Sequence, residues 1–395
     1  MGKSSKSRTT KSSSAATTGD NNSAQVRRSK KDIKPNGTTT TAAPEKKSRR
    51  SKEFPILPFG IFMAVVGIVL YIPYQRYGAS IFSDRTDWTL SEKEWQEKMQ
   101  SKQLLLLGGP HRGGTSIIWK CLKAHPSISG FGDSFVTGVD ESEGILMQDI
   151  YPRFGIGFED FRTKFPNWST SGQGVGQYAL GDEVHMTESH KLVTVENRVK
   201  LWNRFGPYWD FSKPVVMEKS PPTIVTSRFL QALHTATGIG TDETNVQPYF
   251  LFMTRHPLAI LLATEKMMGT NYLPYDRMME NYIQMYRYLK EDLPYLKNKP
   301  QLVSLEAFAQ DPQGTLVQLF QWLNLPTTPD TFAKLDIPTI HSDPNAKYRQ
   351  RWCHEPKLQM IKTLFIEKYQ KILTTELSFL GYDLVEWCNF NTATN

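Results

Sequence analysis

Short, uninterrupted apolar runs recur through the middle of the chain, separated by longer stretches with helical periodicity. Leu104-Leu105-Leu106-Leu107 has no polar interruption, as expected of a strand buried on both faces. Pro214–Met217, Tyr249–Met253 and Leu302–Leu305 read the same way. Between and after them the pattern predicts helices over Thr115–Leu122, Thr223–His234, Leu258–Met268, Tyr275–Leu289, Pro312–Leu323 and Pro356–Leu373. Strands alternating with helices predict an α/β fold whose parallel sheet is covered on both faces. Residues 130–213, rich in glycine and aromatics, interrupt the alternation. They are expected to form an insertion over the strand ends, where second ligands bind in open α/β sheets.

A different apolar pattern precedes the domain. Pro55 to Tyr74 carries no charge over 20 residues. At helical rise this reaches about 30 Å, the thickness of a bilayer core. The predicted organisation is a disordered basic tail (1–53), a transmembrane signal-anchor helix (54–75), a stem (76–100) and a folded domain (101–395). Residues 1–53 hold 14 Lys+Arg and 4 Asp+Glu, so the tail carries +10 of the net +8 and the remainder is close to neutral. The basic balance therefore belongs to the tail, and no nucleic-acid partner is implied. Lys46, Lys47, Arg49, Arg50 and Lys52 crowd one flank of the apolar stretch. By the positive-inside rule the tail is cytosolic and the domain luminal.

The most informative stretch follows the first apolar run: Gly108-Gly109-Pro110-His111-Arg112-Gly113-Gly114-Thr115-Ser116. Strand, glycine-rich turn and helix start together form an anion cradle, from backbone N–H groups, the helix N-terminus and the Thr115 and Ser116 hydroxyls. This makes the predicted sheet P-loop-like. Thr115 stands where an ATP-cleaving loop carries lysine, which counts against a kinase or NTPase.

These residues resemble the first motif of the sulfotransferase superfamily, in its membrane-bound branch that modifies glycans or protein tyrosines. Arg112-Gly113-Gly114-Thr115-Ser116 is similar to that motif, with Gly113 in place of serine, and His125-Pro126 follows. Arg255-His256-Pro257 after the third run resembles the second motif. Its serine position is Ala263, with Thr264 adjacent. Met217-Glu218-Lys219-Ser220-Pro221, Leu302–Glu306 with Asp311-Pro312 and Leu319–Pro326, and Lys347–Trp352 match further segments in order. The resemblance implies a 3′-phosphoadenosine 5′-phosphosulfate donor held by Arg112, Gly113, Gly114, Thr115, Ser116, Arg255, Thr264, Arg351 and Trp352. It also implies a Golgi-membrane, type II setting, a glycan or glycoprotein acceptor (a protein tyrosine being the alternative), and compatibility with a homodimer.

Sulfuryl transfer requires charge neutralisation on the leaving oxygen and removal of the acceptor proton. Lys219 suits the first task. For the base, Asp133 and Glu218 are the candidates. Asp133 falls where tyrosine-sulfating members carry their catalytic glutamate; Glu218 neighbours Lys219 and, by strand alternation, faces the opposite side. His125 is expected to cap or pack the first helix, and Glu183 and His185 either line an acceptor groove or sit in a solvated loop. Trp168, Trp202, Tyr208 and Trp209 read equally as sugar platforms and as core. No metal-ligand spacing occurs, and none is required. The cysteines Cys121, Cys353 and Cys388 leave two readings open, a Cys353–Cys388 disulfide or three thiols. Asn167-Trp168-Ser169 is a glycosylation sequon. A luminal glycosyltransferase is the competing enzyme class, though no Asp-x-Asp occurs. A non-catalytic membrane protein with a degenerate nucleotide fold is the third reading.

Overall fold

The computed structural model describes residues 89–131, 150, 175–181, 184–236, 246–328, 331–332, 335 and 337–389. The tail, the apolar stretch 54–75, most of the stem, Asp133, Asn167, Trp168 and Glu183 lie outside the described residues. No helix among the described residues is long and apolar enough to cross a membrane.

Five parallel strands form the sheet: β1 (Gln103–Gly108), β2 (Ile128–Ser129), β3 (Val215–Lys219), β4 (Tyr249–Thr254) and β5 (Gln301–Ser304), in the order β2-β3-β1-β4-β5. The helices are α1 (Glu92–Met99), α2 (Thr115–Lys123), α3 (Val195–Phe205), α4 (Ser227–Thr235), α5 (Pro257–Met268), α6 (Tyr275–Asp292), α7 (Leu305–Gln310), α8 (Pro312–Trp322), α9 (Ala346–His354) and α10 (Pro356–Lys371). The predicted parallel α/β sheet flanked by helices is present. Two local expectations change. The stretch predicted as a helix from Thr223 opens as a 3₁₀ turn, Pro221–Val225, because paired prolines at its start fix φ but cannot donate. The matched segment Lys347–Trp352, over which the pattern predicts no helix, lies within α9.

Strand alternation sorts two cores onto the two faces of the sheet. Leu104 and Leu106 of β1, with Val216, Phe250 and Phe252, pack against α3, α4, α5 and α6. Leu105 and Leu107, with Val215, Met217, Leu251 and Met253, pack against α2, α7 and α8. β1 lies between β3 and β4 at the sheet centre, and the chain leaves it toward β2 at one edge and later fills the opposite side with β4 and β5. The carboxyl end of β1 is thus a topological switch point, the crevice where open α/β sheets bind ligands.

The Cys353–Cys388 disulfide is formed, joining α9 to the turn at Glu386–Cys388, while Cys121 is buried and free. Closing 35 residues in this way contributes about 3–4 kcal/mol through the unfolded chain. Beside it, the His256 ring lies flat on Trp387, centroids 4.3 Å apart.

Two core histidines make the fold acid-sensitive. Burial holds His234 down to about 3, with the nearby Arg198 cation adding to the effect. His256 is likewise held at about 3, because burial outweighs the opposing pull of the Asp383 carbonyl and carboxylate. An unfolded histidine titrates near 6.5, so below that pH the unfolded chain takes up protons that the native chain refuses. Stability is expected to be full above about pH 6.5 and to fall below it by about 1.4 kcal/mol per pH unit for each of the two. Urea midpoints between pH 7.5 and 4.5 test this. His234→Gln should flatten the slope, and an unchanged slope would remove His234 from the account.

Candidate active site at the switch point

The sequence Gly108–Ser116 folds as a tight turn leading into α2. Pro110 accepts the Gly113 N–H at 2.9 Å, and Gly109 N–H donates to the Pro221 carbonyl at 3.1 Å, tying the loop to the end of β3. Arg112 sits at φ 65, an unusual conformation for a residue with a side chain. Gly114 caps α2 at φ 96 and offers no side chain to the first-turn N–H groups, which by helix geometry have no intrahelical acceptor. Around them Arg112 and Ser116 are exposed, while Thr115 is buried.

Gly113, where the resembled motif has serine, is dictated by this turn. A Cβ there would stand 2.7 Å from both Pro110 Cγ and the Pro110 carbonyl oxygen. Gly113→Ser is therefore expected to lower stability by about 1–3 kcal/mol, as overpacking does, and to weaken anion binding instead of adding a hydrogen bond. Thermal unfolding with and without phosphoadenosine phosphate measures both. A stable variant that binds more tightly would overturn this account of the loop.

The lysine missing from the loop arrives from the neighbouring strand. Lys219 ends β3 in register with Leu107 of β1, on the α2 face, and its Nζ lies 3.4 Å from Ser116 Oγ. It is fully buried, as is the adjacent Glu218. Glu218 is in register with Leu106 and so belongs to the other face, where its carboxylate accepts the Ser220 hydroxyl. The alternation expected from sequence holds, and on that face Glu218 bonds Ser220.

Arg255, just beyond β4, is 7% exposed and braces the loop from the far side. Its guanidinium donates to Asn345 Oδ1 (2.9 Å), to the Arg112 carbonyl (2.7 Å) and to the Pro344 carbonyl (2.9 Å), and lies over the Tyr348 ring. Glu306 organises this cluster. Its carboxylate accepts the His256 N–H (2.9 Å), Asn345 Nδ2 (2.6 Å) and Tyr382 hydroxyl (3.1 Å). Burial lowers the Arg255 pKa, with Glu306 and Tyr348 opposing.

Thr264 and the α9 residues are placed differently from the expectation. Thr264 is 1% exposed, and its hydroxyl has no partner among the described residues. It lines a small cavity with His111 and Tyr178, on the face of α5 and α6. Arg351 pairs with Glu265 (3.0 Å) and Glu355 (2.8 Å), and Trp352 is packed in the core against Phe365. From α9 it is Tyr348, one turn earlier, that meets the Arg255 cation. His125, expected to cap or pack the first helix, instead packs on Phe320 of α8 and bonds the Pro326 carbonyl. Trp202 and Trp209 are core residues, with indoles bonded to His234 and the Met217 carbonyl. His185 is pinned by Asp292 at 2.8 Å and stacks on Tyr288, a structural tie. Among the described residues no cluster could hold a metal ion.

His111, Glu306 and Asn345 escaped the reading from sequence. Only the position of His111 inside the glycine-rich turn could have flagged it. The bonds that define Asn345 and Glu306 span 39 to 90 residues.

No protein-family model matches the chain, and no curated protein is similar to it. Among solved structures it is similar to a sulfotransferase from Alicyclobacillus acidocaldarius, at 15% identity and a TM-score of 0.39, covering 72% of this chain and 98% of that one. It is similar also to a sulfotransferase from Mycobacterium avium, at 13% identity and 0.38, covering 76% and 86%. A third, from Mycobacterium tuberculosis H37Rv, has 10% identity and 0.39, with 71% and 92% covered.

Proposed function

We propose that this protein is a sulfotransferase that takes a sulfuryl group from 3′-phosphoadenosine 5′-phosphosulfate and passes it to a hydroxyl. The observation that carries this reading is Lys219. A P-loop-like turn without its own lysine receives one from the end of β3, 3.4 Å from Ser116 Oγ. The glycine turn, Arg112 and the α2 N-terminus suit the 5′-phosphosulfate. Lys219 is placed to meet charge developing on the phosphate oxygen as the S–O bond breaks. Arg255 reaches the same loop and supports the 3′-phosphate side, both by charge and by fixing the 344–348 segment. The acceptor is read as a glycan hydroxyl, and the setting as a Golgi membrane with the domain luminal; both rest on the sequence resemblance and the pattern of residues 1–75.

Thermal shift with phosphoadenosine phosphate, UDP and ATP is the first test, because a ligand confined to the native state raises its stability by mass action. Stabilisation by phosphoadenosine phosphate above the other two is expected. Stabilisation by UDP alone would favour a glycosyltransferase, and by ATP alone a phosphoryl-transfer enzyme. Radiolabelled sulfate transfer to glycans and tyrosine peptides then identifies the acceptor.

A further inference from the structure

We propose that His111 is the catalytic base of the transfer, and that one water held behind it by Thr264 fixes the tautomer that does the work. The inference rests on the sulfotransferase reading and names its proton acceptor.

The His111 ring is held at the tip of the loop. It packs edge-on against Tyr178, centroids 5.4 Å apart at 68°. Tyr178 is itself anchored, its hydroxyl donating to the Gly109 carbonyl at 3.0 Å and lying 2.8 Å from Met285 Sδ. The two nitrogens of His111 then have different surroundings. Nδ1 is buried with no partner among the described residues. The residue as a whole is only partly buried, and Nε2, unlike Nδ1, is not among the buried polar atoms that lack a partner.

His111 borders a cavity of about 10 Å³. A single water needs roughly 10–15 Å³ and two or more polar partners. Two of the residues that line the cavity carry an orphaned buried polar atom, Nδ1 of His111 and Oγ1 of Thr264, while Ile260, Met278 and Met285 supply apolar walls. A water there accepts from Nδ1–H and donates to Thr264 Oγ1. That tautomer leaves a lone pair on Nε2.

The charges around the ring suit a base. Lys219 from β3 and Arg112 from the loop face it, Tyr178 and Tyr282 are uncharged neighbours, and no carboxylate among the described residues lines the cavity. Burial first, then these two cations, hold its pKa at about 3, so the ring is neutral at any working pH. A bound phosphosulfate offsets both cations and restores proton affinity where it is needed. In the step itself the acceptor O–H proton moves to Nε2 while the acceptor oxygen bonds to sulfur. The bond from sulfur to the 5′-phosphate oxygen breaks, and its electron pair stays on that oxygen beside Lys219. Glu218, bonded to Ser220 on the opposite face from Lys219, is the weaker candidate.

The test uses the full chain and two acceptors, benzyl alcohol and p-nitrophenol, with sulfate release to water as a third readout. The alcohol keeps its proton at neutral pH, whereas the nitrophenol is already largely ionised. His111→Gln is expected to lose about 10²–10⁴ in turnover with the alcohol and less than tenfold with the nitrophenol. His111→Asn, which keeps an amide near the Nδ1 position, is the second variant should the first fail to fold. Thr264→Val should lose about tenfold with the alcohol and shift the acidic limb of the pH–rate profile, and Thr264→Ser should restore both. Phosphoadenosine phosphate affinity, measured by calorimetry, should stay within a few-fold throughout. Unchanged turnover with the alcohol, or equal losses with both acceptors, would overturn the base assignment. A wild-type chain that neither binds phosphoadenosine phosphate nor releases sulfate would instead overturn the sulfotransferase reading.

Discussion

Lys219→Ala is expected to lose about two to three orders of magnitude in turnover while phosphoadenosine phosphate affinity changes only a few-fold. The reason is positional. The ammonium at the end of β3 lies against Ser116, and in the proposed reaction it would meet charge that is small in the bound donor and grows on the leaving oxygen. A single donor of this kind typically contributes about 10²–10³ to turnover. Lys219 is fully buried, so its removal does not strip an exposed binding surface. Turnover at saturating donor, set beside calorimetry with phosphoadenosine phosphate, separates the two effects. A variant that turns over normally but binds poorly would make Lys219 a docking residue and remove it from the chemistry.

Arg255→Ala is expected to injure stability and donor binding together. Its guanidinium joins three chain segments through Asn345, Pro344 and the Arg112 carbonyl, all away from solvent. Removing one member of a buried charged cluster typically costs about 3–5 kcal/mol, because the partners stay buried without it. In a domain of this size that lowers the melting midpoint by on the order of 10 °C. Arg255→Lys should recover little, since one ammonium cannot reach three acceptors held by a planar fork. Scanning calorimetry with and without phosphoadenosine phosphate tests both parts. A variant with normal melting and only weakened binding would reduce Arg255 to a simple phosphate contact.

What was legible from sequence follows from the range of the interactions involved. Leu104–Leu107 announces a buried strand because both faces of β1 are covered, and Gly108–Ser116 announces its loop because every residue of the turn is local. Lys219 was legible through its place at a strand end. The two-residue β2 was not, since Ile128 and Ser129 carry too little pattern to distinguish a strand from a turn. From sequence Thr264 is the natural stand-in for the missing serine beside it. The turn of α5 instead directs it into the cavity shared with His111, one helical step of about 100° from Ala263. The Glu306–Asn345–Arg255 cluster is assembled by tertiary contacts over dozens of residues, and no local spacing encodes it.

The bridge between Cys353 and Cys388 also sets an order of events during synthesis. The glycine turn leaves the ribosome early, whereas the indole that lies on His256 belongs to Trp387, next to the second cysteine. The side of the crevice braced by Arg255 is therefore finished last, after Cys388 has emerged and been oxidised. A nascent chain halted before that residue would carry the turn without its late-arriving buttress, whereas a complete chain kept in reducing surroundings would hold it without the covalent bridge. On the proposed function, competence to bind the donor would be a mark of complete protein.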